Sequence, residues 1–293
     1  MNAADALAQA RAGGLPRSEA LLLLEAASGR PRTWLIANDH SHFPADVEQV
    51  WAGLLRQRQA GVPVAYLVGG REFHGLWLEV SADVLDPRPD TETLVDWALE
   101  LLPDEPGWRV LDLGTGSGAI ALAVKHARPR AEVHAVDLSA AALAIARRNG
   151  QRLGLKVHWY QGSWWRALDE LAPDSAHLPG AALRFDLVLS NPPYIADGDA
   201  HLAALVHEPR QALVAGADGL DDLRVIVAGA PRWLKPGGAL LLEHGYEQAE
   251  AVSRLLRATV PGGAWGESQH RRDLAGHTRC TGARWCNVID TVC

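Results

Sequence analysis

The chain has 293 residues, with an apolar fraction of 48% and a charged fraction of 22%. It is long enough for two domains and a sizeable core. These values exclude disorder, collagen and a disulfide scaffold as descriptions of the whole chain. A net charge of −7 offers no basic face to displace counterions, so duplex nucleic acid is not an expected partner. The three cysteines, Cys280, Cys286 and Cys293, cluster at the end of the chain and the body has none, which fits a reducing compartment. No basic segment followed by an apolar one opens the sequence, and no apolar run approaches a membrane span. The expectation is a soluble, cytoplasmic, monomeric protein without a membrane partner.

The first 60 residues carry helical periodicity. Helices are predicted over 3–12, stopped by Gly13-Gly14, over 18–27, ended at Gly29, and over 45–60, after Pro44. The period then changes. Leu76, Leu78 and Val80 share one face, an alternation that predicts a strand in a hairpin between two domains. Pro87-Arg88-Pro89 ends it, and Asp90 or Thr91 is placed to cap a helix reaching about Leu102. From Trp108 onward strands and helices alternate. Strands are predicted over 109–113, 132–136, 157–161, 185–190 and 239–243. Helices are predicted over 119–127, 140–149, 201–212 and 219–234. This alternation implies an α/β class: a doubly wound, mostly parallel, Rossmann-like sheet with helices on both faces, and a small helical N-terminal domain joined by a β-hairpin. The expected divisions are 1–62, a hairpin linker over 63–85, and a second domain over 86–293. Residues 169–184 read as a surface loop. The segment after Arg279 lacks an apolar run and reads as a tail.

Two motifs follow strands. The first is Val110-Leu111-Asp112-Leu113-Gly114-Thr115-Gly116-Ser117-Gly118-Ala119. Its glycines let the backbone turn tightly and approach a ligand closely. At the end of the next strand stands Asp137, whose carboxylate can accept both hydroxyls of a ribose. Together these describe a site for an adenosine-bearing cofactor at the carboxyl ends of parallel strands. Gly114, Gly116 and Ala119 also satisfy the loose dinucleotide pattern, so a nicotinamide-dependent dehydrogenase stays open at this point. The third glycine, Gly118, and the carboxylate of Asp112 favour S-adenosylmethionine, with Asp112 expected near its cationic end.

The second motif is Ser190-Asn191-Pro192-Pro193-Tyr194, directly after the apolar run 185–189. Two prolines fix φ and remove two N–H donors, so the segment is a rigid loop rather than a central strand. Its groups suit a planar NH2, which is a poor nucleophile because its lone pair is delocalised. The Asn191 side-chain oxygen and the Pro192 carbonyl can each accept one N–H, orienting the nitrogen toward a methyl carbon. Tyr194 offers a flat face. A protonated N-methyl amide is very acidic, so no strong base is needed, and rate comes from alignment and fixed dipoles. The twelve histidines show no ligand spacing, and no metal is expected.

With these residues in view, the chain resembles the amino-methyltransferases that act on planar NH2 groups. It is most similar to the peptide chain release factor N(5)-glutamine methyltransferases. The resemblance extends to Pro63-Val64-Ala65-Tyr66-Leu67-Val68-Gly69 with Arg71-Glu72-Phe73, to Pro87-Arg88-Pro89-Asp90-Thr91-Glu92, and to Glu208-Pro209 and Asp218-Gly219-Leu220. It implies methyl transfer from S-adenosylmethionine to a release factor's Gly-Gly-Gln glutamine, in support of translation termination. By position it implies that Gly114, Thr115, Gly116, Ser117, Gly118 and Asp137 hold the cofactor, with Trp164 beside its adenine. Asn191 would contact both cofactor and substrate, within the catalytic loop Asn191, Pro192, Pro193 and Tyr194. Ser163 stands where the family commonly has an acid, and Asp86 where it has an apolar residue. A nucleic-acid adenine methyltransferase shares the chemistry. It would need a basic cleft and base flipping, against which the acidic balance argues.

Overall fold

The computed structural model describes residues 1–169, 183–258 and 263–287, and these divide into two compact units. The first comprises Met1–Arg71 with Val80–Ala82; the second comprises Glu72–Glu79 and the described residues from Asp83 onward.

The first unit holds α1 (Ala3–Ala12), α2 (Arg17–Ser28), α3 (Arg32–Ala37), α4 (Ala45–Gln59) and α5 (Val64–Val68). A reciprocal cap starts α1: the Asn2 side chain accepts from the Asp5 N–H, and the Asp5 carboxylate accepts from the Asn2 N–H. Ala3, Ala6 and Ala10 present the small face of α1 to Leu21, Leu24, Leu35 and Trp51 in one core. The buried Trp51 indole donates to Gln9 Oε1 at 2.9 Å, which removes the cost of an unpaired N–H. Residues 64–68 were expected within the hairpin. They instead form the short helix α5, which Pro63 opens and Gly69, at φ 75°, closes.

The hairpin proper is β1 (Gly70–Phe73) and β2 (Leu76–Glu79). Its two turn residues, His74 and Gly75, both have positive φ, 49° and 78°, the conformation that matches strand twist in a two-residue turn. Leu76, Leu78 and Val80 are buried while Trp77 is exposed, as the alternation predicts.

The second unit is built on β3 (Arg109–Leu113), β4 (Glu132–Asp137), β5 (His158–Gln161), β6 (Phe185–Ser190), β7 (Leu234–Glu243), β8 (Gly263–Trp265), β9 (Gln269–Arg272) and β10 (Thr278–Asn287). Their order is β5-β4-β3-β6-β7-β10-β8, with β9 on β10. Pairing is parallel from β5 to β7 and antiparallel at β10. The helices are α6 (Glu92–Leu101), α7 (Ala119–Ala127), α8 (Ala140–Leu153), α9 (Arg166–Asp169), α10 (Asp221–Trp233) and α11 (Ala249–Arg257). Alternate strand residues supply two cores. Val110, Val133, Leu187 and Leu241 pack with α6 and α7. Leu111, Val136, Val188 and Leu240 pack with α10 and α11. Burial on both faces explains why the strands read as continuous apolar runs.

Three further expectations differ in the structure. Through Asn287 the segment after Arg279 is not a tail: Thr278–Asn287 is a strand paired with β7 in register, Cys280 opposite Glu243, and the last six residues lie outside the described ones. Its sequence is small and polar because its neighbours provide the apolar mass; a Cβ on Gly282 would meet Leu241 Cδ2 at 2.5 Å and the Trp97 ring at 2.9 Å. The helix expected over 201–212 is two 3-10 turns, Ala200–Leu205 and Arg210–Ala212, interrupted by Pro209, which has no N–H to donate. Thr91 makes no capping bond; it ends a 3-10 turn, Pro89–Thr91, ahead of α6. The loop expected over 169–184 lies almost entirely outside the described residues. Among the described residues no helix is long and apolar enough to cross a membrane.

Candidate active site

The pairing of β3 with β6 sets the site. Leu113 lies opposite Ser190, and Ser190 Oγ donates to the Leu113 carbonyl at 2.6 Å. The chain runs from β3 outward through β4 and β5, then returns to β6 on the other side. The loops after β3 and β6 therefore open side by side at a topological switch point, where sheets of this kind bind ligands. They share a cavity of about 260 Å³. Of the residues expected to hold a cofactor, Gly114, Thr115, Gly116, Ser117, Asp137, Trp164 and Asn191 line it. Of the expected catalytic loop, Asn191 and Pro193 line it, Pro192 is buried, and Tyr194 is half-buried.

Gly118 stands apart from the cavity lining. At φ 86°, a Cβ there would meet Leu122 at 3.0 Å, and Ala146 and Trp159 at 3.2 Å. Its work is to let the loop turn into α7 against packed neighbours. Gly114 and Thr115 both donate N–H to the Val136 carbonyl at 2.9 Å, pinning the loop to the end of β4. A Cβ on Gly116 would point into open space.

Asp137 ends β4 facing the cavity. Oδ2 accepts from the Gly116 N–H and Oδ1 from the Ser139 N–H, both at 2.8 Å. Burial raises its pKa against the pull of these bonds. The Leu138 N–H is a third backbone partner, which leaves acceptor capacity on the carboxylate for a ligand. Asp112, expected near the cofactor's cationic end, is not among the residues that line the cavity. It is fully buried and accepts from Thr115 Oγ1 at 2.6 Å and from the Ala121 N–H at 3.2 Å. Burial raises it to about 7. Its role is to brace the glycine loop from within.

Trp164 follows β5, whose last residue, Gln161, lies opposite Asp137. Its φ of 47° is unusual for a bulky residue, a strain of about 1–3 kcal/mol that the surroundings must hold. One restraint is Asp222 at the start of α10, whose Oδ1 accepts from the indole N–H at 3.0 Å. Asp222 also lines the cavity; sequence reading missed it because only tertiary contact ties it to Trp164. Asn191 Nδ2 donates to Thr91 Oγ1 at 3.1 Å. The Thr91 hydroxyl in turn donates to Glu243, which ends β7; burial raises this carboxyl to about 7. Gln248 Nε2 donates to the Tyr194 carbonyl at 3.0 Å, fixing the loop's far end. Burial raises the Tyr194 phenol.

Two polar groups elsewhere are explained by pairing. The departure at Asp86 is a buried carboxylate beside Arg88, at 3.6 Å, and Arg88 also pairs with Glu208. At the opposite ends of the strands, Glu132, His134 and His158 place three ligand atoms within 4.8 Å of one another. The two rings stack with planes 24° apart, and Arg109 occupies Glu132 Oε2 at 2.9 Å. Both ring Nε2 atoms face Glu132 Oε1, His134 at 3.1 Å and His158 at 4.0 Å.

A family model for the methyltransferase small domain matches residues 90–249, more than half of the chain, and one for the PrmC N-terminal domain matches residues 1–69. A release factor glutamine methyltransferase from Bordetella pertussis is 51% identical over 271 residues, covering 92% of this chain and 95% of that protein. The chain belongs to the release factor glutamine methyltransferase family. Another such methyltransferase, from Coxiella burnetii, is 42% identical and covers 92% of both chains. In fold the chain is also similar to a methyltransferase from Pyrococcus furiosus, at a TM-score of 0.51 and 18% identity, covering 79% of this chain and 99% of that one.

This member of the family is an enzyme whose methyl donor is S-adenosylmethionine. The residues fit that donor. Gly116 leaves space where a side chain would intrude, an acceptor-only carboxylate faces the cavity at Asp137, and the Trp164 indole supplies a flat apolar wall. Among the described residues nothing in this lining is cationic, which suits a sulfonium better than a pyrophosphate.

Proposed function

We propose that this enzyme transfers a methyl group to the side-chain amide nitrogen of the glutamine in the Gly-Gly-Gln tripeptide of peptide chain release factors, supporting translation termination. The observation that carries the reading is the junction of the glycine loop and Asn191 over one cavity, made by the pairing of Leu113 with Ser190. Gly114 to Ser117, Asp137 and Trp164 hold the donor, which supplies an electrophilic methyl on a sulfonium. Asn191 Oδ1 accepts one N–H of the substrate amide and the Pro192 carbonyl accepts the other. Two acceptors hold the nitrogen in place and push electron density toward it. Pro193 and Tyr194 keep the loop rigid beside the planar group. The nitrogen loses its extra proton to water after transfer, since a protonated amide is a strong acid.

The N-terminal unit is assigned to recognition of the release factor body. The protein is read as a cytoplasmic monomer that acts on protein and not on duplex nucleic acid. The test is a single-turnover reaction of the purified enzyme with S-adenosylmethionine and an intact release factor, followed by peptide mass analysis. One added methyl on the Gly-Gly-Gln glutamine is expected. No transfer, or transfer to another residue, overturns the reading.

A further inference from the structure

The two ends of an asparagine amide have nearly the same shape and opposite hydrogen-bonding character. If the NH2 of Asn191 faced the substrate, two NH2 groups would meet and neither could accept. Something must therefore decide which end points at the cavity. Asn191 Nδ2 donates to Thr91 Oγ1 at 3.1 Å. Thr91 is 4% exposed and lies at the cavity wall. Its hydroxyl has one proton, and that proton is given to Glu243. With the proton committed, the Thr91 oxygen can only accept from Asn191.

Glu243 is 1% exposed and ends β7, next to β6, with Leu242 opposite Ser190. Its second oxygen, Oε2, has no hydrogen-bond partner. A buried carboxylate with an unpaired oxygen destabilises a fold, and an apolar residue would serve packing better. Its place beside the reacting loop supplies the reason for keeping it. An ionised carboxylate only accepts, so it sets the direction of the whole chain of bonds, from Asn191 through Thr91 to Glu243. Burial pushes the group toward its neutral form, up to about 7, while the Thr91 hydroxyl, Arg279 and Arg88 favour the ionised form, so the direction is set most firmly above about pH 7.

We propose that Thr91 and Glu243 are positioning residues that lock the Asn191 amide with Oδ1 toward the substrate nitrogen. The proposal rests on the reading of Asn191 as an acceptor for the substrate N–H. Neither residue needs to touch the reacting atoms. Thr91→Val keeps the volume and removes the hydroxyl. Glu243→Gln keeps the shape but can donate to Thr91, which frees the Thr91 proton to bind the wrong end of Asn191.

The experiment measures single-turnover methylation of a release factor and S-adenosylmethionine affinity for both variants. It adds Thr91→Ser, and Thr91→Val combined with Asn191→Ala. The rate is expected to fall about tenfold in Thr91→Val and in Glu243→Gln, with cofactor affinity held within about twofold. A retained affinity also shows that each variant folds. Serine, which restores the hydroxyl, should recover most of the rate. In the Asn191→Ala background Thr91→Val should cost nothing further, because it acts only through Asn191. Wild-type rates in both single variants, or an additive loss in the double variant, overturn the proposal while leaving the role of Asn191 intact. A wild-type rate in Asn191→Ala alone overturns the underlying reading instead.

Discussion

Asp137→Ala separates a ribose-binding carboxylate from a mere brace of the loop. The carboxylate offers four acceptor positions. Oδ2 spends one on Gly116 and Oδ1 one on Ser139, both at 2.8 Å, and Leu138 takes a third, while the residue lines the cavity. Alanine removes the bonds to the loop and the remaining capacity alike. Toward the ribose, a hydrogen bond to a charged group contributes about 1.5–3 kcal/mol, so S-adenosylmethionine affinity should fall roughly ten- to a hundredfold. Toward the loop, water replaces part of what is lost. The fold should lose about 1–2 kcal/mol, which is roughly 2–8 °C in melting temperature for a domain of this size. Calorimetric titration reads the first effect and a ligand-free melt reads the second. A lowered melting temperature with unchanged affinity would refute the ribose assignment and leave Asp137 as a brace. The same titration with a nicotinamide dinucleotide should register no binding.

Asn191→Ala should slow single-turnover transfer by roughly 10²–10³, as expected for deleting one preorganised polar group at a reacting centre, with a far smaller change in cofactor affinity. Asn191→Asp should retain part of the rate, since a carboxylate still accepts; wild-type rates in both would make the loop only a rigid turn. Burial raises Asp112 from 3.8 to about 7, so between those values the folded chain holds a proton that the unfolded chain has released. Its contribution to stability falls as pH rises from about 4 to about 7. Asp112→Asn, which cannot ionise, should gain a few kcal/mol on the wild type across that window, at about 1.4 kcal/mol per unit; parallel unfolding curves at pH 4 and pH 7 would contradict this. A chain beginning at Glu72 keeps Phe73, Leu76 and Leu78, which pack in the second unit's core. It should keep cofactor affinity and lose methylation of an intact release factor, and full activity would remove the recognition role from the N-terminal unit.

The sequence by itself determined the elements whose cause is local. Glycines at 114, 116 and 118 permit positive φ without steric cost, and all three have it, between 56° and 86°. The apolar runs of β3, β4 and β6 declare strands buried on both faces, and the alternation at Leu76, Leu78 and Val80 declares a strand buried on one. The loop of Asn191 to Tyr194 is rigid because two prolines make it so. These are properties of single residues and short spacings. What the tertiary structure decided concerns groups whose character comes from a distant partner. Thr91 reads as a helix cap, yet its hydroxyl serves Asn191 and Glu243, which only the adjacency of β6 and β7 brings within reach. Asp112 reads as a ligand for a cation, and its burial turns it into a brace. Residues 278–287 carry no apolar signal of their own. They become a buried strand because β7 lends them a ladder and Trp97 and Leu241 fill the space above Gly282. A short-range pattern records what a residue prefers, whereas the final assignment of a polar or small residue depends on which neighbours the sheet order places against it.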